Sequence, residues 1–354
     1  MVHQDFNRRQ GLTVSELISQ LRLPLIVLVT YAHSYGQVDE GYSLLHSDWD
    51  AYQVLKLLIS QTLVKVVVPV FFVISGYLFF ASVREWNMSV YCQKMRRRLK
   101  TLLLPYLLWN LLMALKLHAF SWDMLWDCDP HAGMQTDWLG CENWMTAPAN
   151  MPLWFLRDLM VVSLLTPIIY IGVKRFGWYL MVPLTLFYLS GIGAFAVPGL
   201  SMYAVYFFTL GAFFAIRKIN LLNVLQRYQL SLLALAVILA SMMMATYHQP
   251  VFSSLMLCFR LVGALAVFGA GRWLLVKTDR RLPKVVADAS YFVYLAHYVF
   301  FMSFIDDAFF CHFGDSSASL CLHYLLCPLL KAAIFIALYV AYRRVKQLCY
   351  TNVS

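Results

Sequence analysis

Ten apolar stretches constrain the fold of this chain more than any other feature of its sequence. A helix of about 20 apolar residues crosses the hydrocarbon core of a bilayer, and most of these stretches approach or exceed that length. The chain is 61% hydrophobic and only 13% charged, whereas soluble proteins carry about 25% charged residues. The sequence therefore predicts an all-α polytopic membrane protein, one domain over residues 1–354 embedded in the lipid bilayer. The ten predicted transmembrane helices are 17–35, 61–82, 100–118, 152–172, 178–194, 202–216, 228–247, 254–275, 288–309 and 321–341.

The basic residues fall on one side of these predicted helices. Most of the 28 lysines and arginines lie before the first span or after the second, fourth, sixth, eighth and tenth, and the opposite loops contain only Lys56. By the positive-inside rule, both termini are predicted to be cytoplasmic. Topology thus explains the net charge of +10, and nucleic acid is not expected as a partner. No cleavable signal peptide is expected, because no small-residue cleavage site follows the first span.

Two titratable side chains, Arg22 and His33, interrupt the first span. On an unbroken helix, eleven residues complete three turns plus about 20°, so both side chains would lie on one stripe roughly 16 Å apart along the axis. Polar groups inside a bilayer are expensive and tend to mark function, and imidazole is the usual general base. The pair therefore predicts a functional role for His33. His297, in the ninth span, fits a structural and a functional role equally well.

Further basic residues lie inside apolar sequence. For Lys65, Arg157 and Arg260, a functional role and a structural ion pair between helices both remain open. Arg157 precedes Asp158, but neighbours in sequence do not face each other on a helix, so separate partners are expected. Three lysines near span ends are instead predicted to extend toward the membrane interface: Lys56, Lys116 and Lys331.

A basic segment opens the third span. Arg96, Arg97, Arg98 and Lys100 precede Pro105. One interpretation is an ordinary anchor on the cytoplasmic side. The other is a cradle for a polyphosphate, because guanidinium groups bind phosphate in a bidentate manner.

Ser75 and Gly76 lie among bulky residues near the end of the second span. Small residues let a neighbouring helix or a ligand approach closely. A close contact is therefore expected at this point.

The predicted outer loops are acidic, and the second is also rich in tryptophan. Carboxylates interleaved with indole rings would suit a sugar-binding surface. A solvated loop with interfacial tryptophans explains the same pattern and is favoured, because aromatic belts are general in membrane proteins. The residues concerned in the second outer loop are Asp123, Asp127, Asp129, Asp137, Glu142, Trp122, Trp126, Trp138 and Trp144.

Four of the eight cysteines lie on the predicted outer face, where disulfides persist if that face is the periplasm. We expect the bonds Cys128–Cys141 and Cys311–Cys321, although these four cysteines allow two other sets of pairs. No Cys/His spacing indicates a metal site. The other cysteines are expected to be free on the cytoplasmic side or packed within spans: Cys92 and Cys349, and Cys258 and Cys327.

Taken together, five ordered motifs resemble the acyltransferase-3 family of integral membrane acyltransferases, which includes O-antigen and exopolysaccharide O-acetylases. The resemblance covers nearly the whole chain, and the family typically has ten spans. The motifs are Arg22-x10-His33, Phe71-Phe72-x-x-Ser75-Gly76-Tyr77, Arg97-Arg98-x-Lys100 with Pro105-Tyr106, Leu153-Trp154-Phe155-Leu156, and Tyr294-Leu295-x-His297.

The resemblance implies acyl transfer from cytoplasmic acyl-CoA to a hydroxyl of an extracytoplasmic glycan or a lipid-linked saccharide, in the bacterial inner (plasma) membrane. Acetyl is the commonest acyl group of the family, so acetyl-CoA is the expected co-substrate, with no bound cofactor and no metal. His33 would act as general base together with Arg22, and an acyl-His33 intermediate remains open. The other implied site residues are Arg97, Arg98, Lys100 and Ser75 for acyl-CoA, and Arg157, Lys65, Tyr294 and His297 in support of the thioester or the acceptor.

A transporter or flippase of a glycan intermediate or small polar solute is the main alternative, since many spans and intramembrane charges suit that class too. The sequence contains no inverted repeat and no matching pair of helices broken by glycine or proline. Transport also leaves the basic segment before Pro105 unexplained. A sensory or interaction protein that keeps the fold without activity is a further alternative, and His33 argues against it.

Overall fold

The computed structural model describes residues 12–34, 38–119, 145, 147–192, 199–300 and 302–351. Regular secondary structure within these ranges is entirely helical, which confirms the predicted all-α class. The chain divides into two compact units. Unit 1 takes its described residues from Met1–Val67 and Ala270–Ser354, and unit 2 takes them from Val68–Ala119 and Gln135–Gly269.

The helices follow one another with short connections. A 3₁₀ helix (Leu63–Val66) precedes α3, a π-helix (Leu99–Leu103) joins α4 to α5, and a second 3₁₀ helix (Met151–Leu153) precedes α6. The α-helices of the described ranges are α1 (Val14–Ala32), α2 (Ala51–Ile59), α3 (Val67–Ala81), α4 (Met88–Arg98), α5 (Leu104–Ala119), α6 (Trp154–Leu164), α7 (Thr166–Phe176), α8 (Trp178–Leu189), α9 (Met202–Ile216), α10 (Leu221–Ala245), α11 (Val251–Thr278), α12 (Lys284–Asp288), α13 (Ser290–Ala296), α14 (Ser303–Phe313) and α15 (Ser317–Thr351).

The helices long and apolar enough to cross a membrane are fewer than the ten predicted spans. Helices α6 and α7 are long and apolar enough to cross a membrane only when taken together, and they meet at a bend of 61°. Helices α8 and α9 are apolar but only 12 and 15 residues long, and two short helices, α13 and α14, occupy the predicted span 288–309. The predicted membrane protein is confirmed, while the count of ten stays a prediction. Within the described ranges, six helical stretches are each long and apolar enough to cross a membrane: Val14–Ala32, Ala51–Ala81, Met88–Lys116, Leu221–Ala245, Val251–Thr278 and Ser317–Cys349.

Helix α1 begins and ends earlier than the sequence predicts. The Thr13 hydroxyl caps its start by accepting a hydrogen bond of 3.1 Å from the Glu16 N–H, which satisfies one of the free amides at a helix start. Pro24 lies inside the helix and supplies no amide hydrogen to it. The helix ends at Ala32, so His33 is its C-cap residue with φ −102° and ψ 6°. His33 therefore follows directly on the last helical residue and caps the end of α1.

Three lysines predicted to reach toward the interface are buried. Lys56, Lys116 and Lys331 are only 3%, 5% and 6% exposed. Lys56 lies 3.0 Å from a carboxylate oxygen of Asp39, and hydrogen bonding to the side chains of Gln53 and Lys56 lowers the pKa of the Asp39 carboxyl. A buried ammonium needs a partner, and for Lys56 that partner comes from the preceding loop. The interfacial prediction is wrong for Lys331, whose ammonium bonds to the buried Asp306 instead. For Lys56 and Lys116 it stays a prediction.

Reciprocal glycines bring α3 and α9 into backbone contact within unit 2. A Cβ atom added to Gly76 would collide with the carbonyl oxygen of Phe208, and one added to Gly211 would collide with the carbonyl oxygen of Val73. Each glycine thus admits the backbone of the other helix, as small residues do at membrane helix interfaces. The close contact predicted near Ser75 is confirmed.

Candidate functional site

Two histidines predicted from separate motifs meet in unit 1. His33 ends α1, and His297 ends α13, which packs against α1. The two ring centroids are 5.4 Å apart. The Tyr298 ring stands nearly perpendicular to the His33 ring, with centroids 5.5 Å apart. His33 is partly buried, and His297 is 6% exposed.

The hydrogen bond of His297 fixes the chemistry of its ring. Nδ1 lies 2.8 Å from the carbonyl oxygen of Tyr294. A carbonyl oxygen only accepts, so in the neutral ring Nδ1 carries the hydrogen and Nε2 carries the lone pair. Nε2 is fully buried and has no hydrogen-bond partner among the described residues. The neutral ring can accept a hydrogen bond at Nε2 but cannot donate one there, which makes it unsuited to holding a negatively charged oxygen.

Two cations accompany this pair in unit 1. Arg22 lies within α1 and is half-buried, and its buried Nε has no hydrogen-bond partner in the described ranges. Lys65 lies in the 3₁₀ helix Leu63–Val66, which packs against α1. Both positive charges are thus carried on or against the helix that ends at His33.

The predicted phosphate cradle lies in unit 2. Arg97 and Lys100 are exposed, whereas Arg98 is half-buried, with its guanidinium carbon 5.4 Å from the ring centroid of Phe79 in α3. Ser75 lies one turn before Phe79, and residues four apart share a helix face. The end of α4 therefore lies against the face of α3 that carries Ser75.

A π-helical turn follows the cradle at Leu99–Leu103. Pro105 cannot donate to the carbonyl of Thr101, and its ring crowds that carbonyl, so a regular α-helical ladder cannot continue through this turn. Single π turns inside helices occur frequently at functional sites. The turn carries Lys100 and leaves it exposed.

Arg157 pairs with the residue beside it. Its Nε and Nη2 donate to Oδ1 of Asp158 at 3.0 and 2.9 Å, and its Nη1 donates to the Met145 carbonyl at 2.9 Å. The second carboxylate oxygen accepts a hydrogen bond of 2.8 Å from the Ser201 hydroxyl. The expectation of separate partners is wrong, because a long arginine side chain at the start of α6 can fold back to its neighbour. Of the two interpretations left open, the structural ion pair is the one that forms, although it lies within one helix.

Arg260 packs against an aromatic ring. Its guanidinium carbon lies 5.0 Å from the ring centroid of Tyr203 in α9. The electron-rich face of an aromatic ring attracts a cation. This contact gives Arg260 a packing role within unit 2.

The predicted disulfide between Cys311 and Cys321 is absent from the structure. Both are free cysteines: Cys311 is exposed on α14, while Cys321 is partly buried near Asp50. The two thiols therefore face different surroundings. Cys128 and Cys141 lie outside the described residues, as does most of the acidic, tryptophan-rich second outer loop, and both predictions stand as they were derived.

Unit 1 contains a buried network of charged side chains that none of the sequence motifs predicted. Asp306 of α14 accepts from Lys331 at 2.6 Å and bonds to His323 Nε2 at 2.8 Å, both on α15. The ligand atoms of Asp306, His323 and Cys327 lie within 4.8 Å of one another, as in a metal site. The Lys331 ammonium, however, already places a positive charge at this carboxylate. A buried acid in predicted span nine and three polar residues four apart on α15 are the signals that reveal it.

Comparisons with known proteins bear on the whole chain. The model of the acyltransferase-3 family, described as an acyltransferase domain, matches residues 18–341. The succinoglycan biosynthesis protein ExoH of Rhizobium meliloti (strain 1021) is 29% identical over 174 residues, which cover 46% of this chain and 44% of that protein. The match thus spans less than half of the relative's length. No solved structure matches the chain.

Proposed function

The chain belongs to the acyltransferase-3 family, and from that premise we propose that it is a membrane O-acyltransferase that modifies a polysaccharide. It moves an acyl group, acetyl in the simplest case, from cytoplasmic acyl-CoA to a hydroxyl of an extracytoplasmic or lipid-linked glycan. The name of the relative, a succinoglycan biosynthesis protein, supports a polysaccharide acceptor. The observation that carries the proposal is the imidazole of His33, which stands at the end of α1 beside a second imidazole.

His33 is the general base of the proposed reaction. It takes the proton of the acceptor hydroxyl while the hydroxyl oxygen forms a bond to the thioester carbonyl carbon. The carbon–sulfur bond then breaks, the acyl group stays on the acceptor oxygen, and the proton passes to the departing sulfur to give free CoA. An oxygen nucleophile of this kind needs a base within hydrogen-bond reach.

The donor is proposed to bind through its phosphates in unit 2. Arg97, in the last turn of α4, and Lys100, in the π-helix, present exposed cationic groups. Arg98 is oriented by its contact with Phe79, and Ser75 lies one turn from Phe79 on the same face of α3. Charge-assisted hydrogen bonds from guanidinium groups to phosphate are among the strongest that side chains make.

Topology completes the proposal. We place both termini in the cytoplasm of a bacterium, with ten crossings of the inner membrane, because the basic loops alternate with loops that are nearly free of lysine and arginine. Arg22, on α1, and Lys65, on the 3₁₀ helix packed against α1, would supply positive charge next to the helix that His33 caps. Arg157 is assigned a structural role, since Asp158 and the Met145 carbonyl occupy its guanidinium.

Replacing His33 tests the proposed function. In cells that lack the native gene, we expect His33→Ala to abolish the acetyl groups that the wild-type chain adds to the cell's polysaccharide. The matched control is His46→Ala, because His46 is an exposed loop histidine of the same unit. Mass spectrometry of the polysaccharide gives the readout, and immunoblots of membranes verify equal amounts of protein. Acetylation retained in His33→Ala would rule out His33 as the base. Unchanged acetylation with accumulated precursor in cells without the gene would support transport instead.

A further inference from the structure

The buried nitrogen of His297 is the least satisfied polar atom near His33. Nε2 has almost no accessible surface and no hydrogen-bond partner among the described residues. Buried polar groups are rarely left unpaired, and those that are usually have an identifiable role. The rest of the ring is well held, because Nδ1 bonds to the Tyr294 carbonyl and the side chain is 6% exposed.

The enclosure of Nε2 restricts what can reach it. A glycan hydroxyl or a thioester needs an open path, and this atom has none. Among the described residues, the partner must therefore be a side chain that already lies beside it. The described rings around His297 are those of His33 at 5.4 Å, Tyr294 at 6.2 Å and Tyr298 at 6.5 Å, and His33 is the nearest of these.

The separation of the two rings suits a hydrogen bond between imidazoles. Each ring nitrogen lies about 1.1 Å from its ring centroid, so an in-line N–H···N bond of about 2.9 Å places the centroids about 5.1 Å apart. The observed 5.4 Å with a tilt of 49° exceeds this by a few tenths of an ångström. Since His33 is only half-buried and stands after the last residue of α1, a small rotation of its ring closes the difference.

We propose that His297 is a positioning residue for His33: its Nε2 accepts the hydrogen from one ring nitrogen of His33. The Tyr294 carbonyl fixes the tautomer of His297, and His297 in turn fixes the tautomer and orientation of His33. The other nitrogen of His33 then carries the lone pair and faces the acceptor hydroxyl. In the serine protease triad, a carboxylate plays the same orienting part toward its histidine.

The hydrogen bond from His33 to His297 also stabilises the positive charge that forms on His33. When His33 takes the hydroxyl proton it becomes an imidazolium, and its second N–H becomes a stronger donor to the lone pair of His297. The proton itself stays on His33 until it passes to the sulfur of CoA, so His297 is neither protonated nor bonded to substrate. This inference rests on the proposed function, because it assigns His297 a task only if His33 is the base.

Three substitutions of His297 separate this task from packing. His297→Gln keeps an acceptor oxygen near the position of Nε2. His297→Asn keeps a donor toward the Tyr294 carbonyl but does not reach as far as Nε2. His297→Phe keeps a ring without nitrogen. His312→Phe is the matched control, because His312 is exposed in the same unit and its Nδ1 likewise bonds to a backbone carbonyl, that of Ala308, at 2.8 Å.

The measurement is the initial rate of label transfer from radiolabelled acetyl-CoA to the polysaccharide fraction in membrane vesicles containing the full chain. General-base catalysis contributes about 100- to 10,000-fold, so loss of the orienting bond is expected to lower kcat by at least about tenfold in His297→Phe and His297→Asn. The KM for acetyl-CoA is expected to stay within about twofold. His297→Gln should recover most of the rate, and His312→Phe should match wild type.

The outcomes distinguish failure of this inference from failure of the proposed function. If His33→Ala stays active, the assignment of the base has failed, and the positioning role fails with it. If His33→Ala is inactive while His297→Phe keeps the wild-type kcat, only the positioning role is overturned. It is also overturned if His297→Gln is as impaired as His297→Phe, or if the substitutions raise KM while kcat is unchanged.

Discussion

At the scale of single residues, Arg157 shows how side-chain length changes a rule of helix geometry. Backbone positions one apart point about 100° away from each other, and short side chains there do not meet. The arginine side chain has enough reach to place Nε and Nη2 on the neighbouring carboxylate. Both residues are buried, at 9% and 2% exposed. The pair therefore neutralises two charges at once near the start of α6.

Removing Arg157 is expected to destabilise the protein rather than to impair chemistry alone. Arg157→Met leaves the buried Asp158 carboxylate without its cation, which typically costs about 3–5 kcal/mol. The thermal midpoint of the detergent-solubilised protein, measured by fluorescence-detected size exclusion, should fall clearly. Arg175→Met makes the same change at an exposed position of α7 and should leave the midpoint nearly unchanged. A stable but inactive Arg157→Met protein would instead place Arg157 in the reaction.

The cradle residues permit a sharper test of donor binding. Replacing Arg97 and Arg98 together with glutamine removes two phosphate-binding groups, each worth about 1.5–3 kcal/mol as a charge-assisted hydrogen bond. The Kd for CoA measured by calorimetry should rise by more than about tenfold. Arg84→Gln removes one positive charge from an exposed position in the loop before α4 and should change the Kd little. Equal effects of both substitutions would mean that only general electrostatic attraction is at work.

At the scale of helices, the contact of α3 with α9 depends on two glycines. Gly76→Ala would force a methyl group into the carbonyl of Phe208, and backbone cannot move aside as a flexible side chain can. Overpacking typically costs about 1–3 kcal/mol, so yield and thermal midpoint should fall. The control is Gly269→Ala, whose added methyl would meet the Gln229 side chain at an ordinary 3.5 Å. An unaffected Gly76→Ala protein would show that the two helices are not in backbone contact.

The sequence predicts helices well where they are long and poorly where they break. Hydropathy averages over many residues, so it merges α6 and α7 into one span although Pro167 marks the start of α7. The break after α13 is harder to predict, because residues 290–302 contain no proline or glycine. That break places the His297 ring next to His33. The motifs predicted both histidines as site residues. Their contact, however, depends on a turn that no proline or glycine in the local sequence indicates.

At the scale of the whole molecule, charged partners explain which parts of the site the sequence could not predict. The motifs name residues one at a time, while pairs such as Asp306 with Lys331 form between helices that meet only after folding. The lysines and arginines of each loop, by contrast, can be counted without knowing any tertiary contact. Membrane topology is therefore the property that sequence alone predicts most directly. The predicted ten-span topology requires segment 288–309 to cross the membrane, although this segment is broken into short helices.

Free cysteines allow that topology to be measured directly. Cys92, Cys311 and Cys349 are free and exposed, and the predicted topology places Cys311 outside and the other two inside. In single-cysteine variants, a membrane-impermeant maleimide should label Cys311 in intact spheroplasts and label Cys92 and Cys349 only after detergent is added. If the helices α12 to α14 do not carry the chain across the membrane, Cys311 will be protected, and the crossing by α15 will place Cys349 outside. Labelling of Cys349 from outside would therefore refute the ten-span topology, because both termini could not then be cytoplasmic.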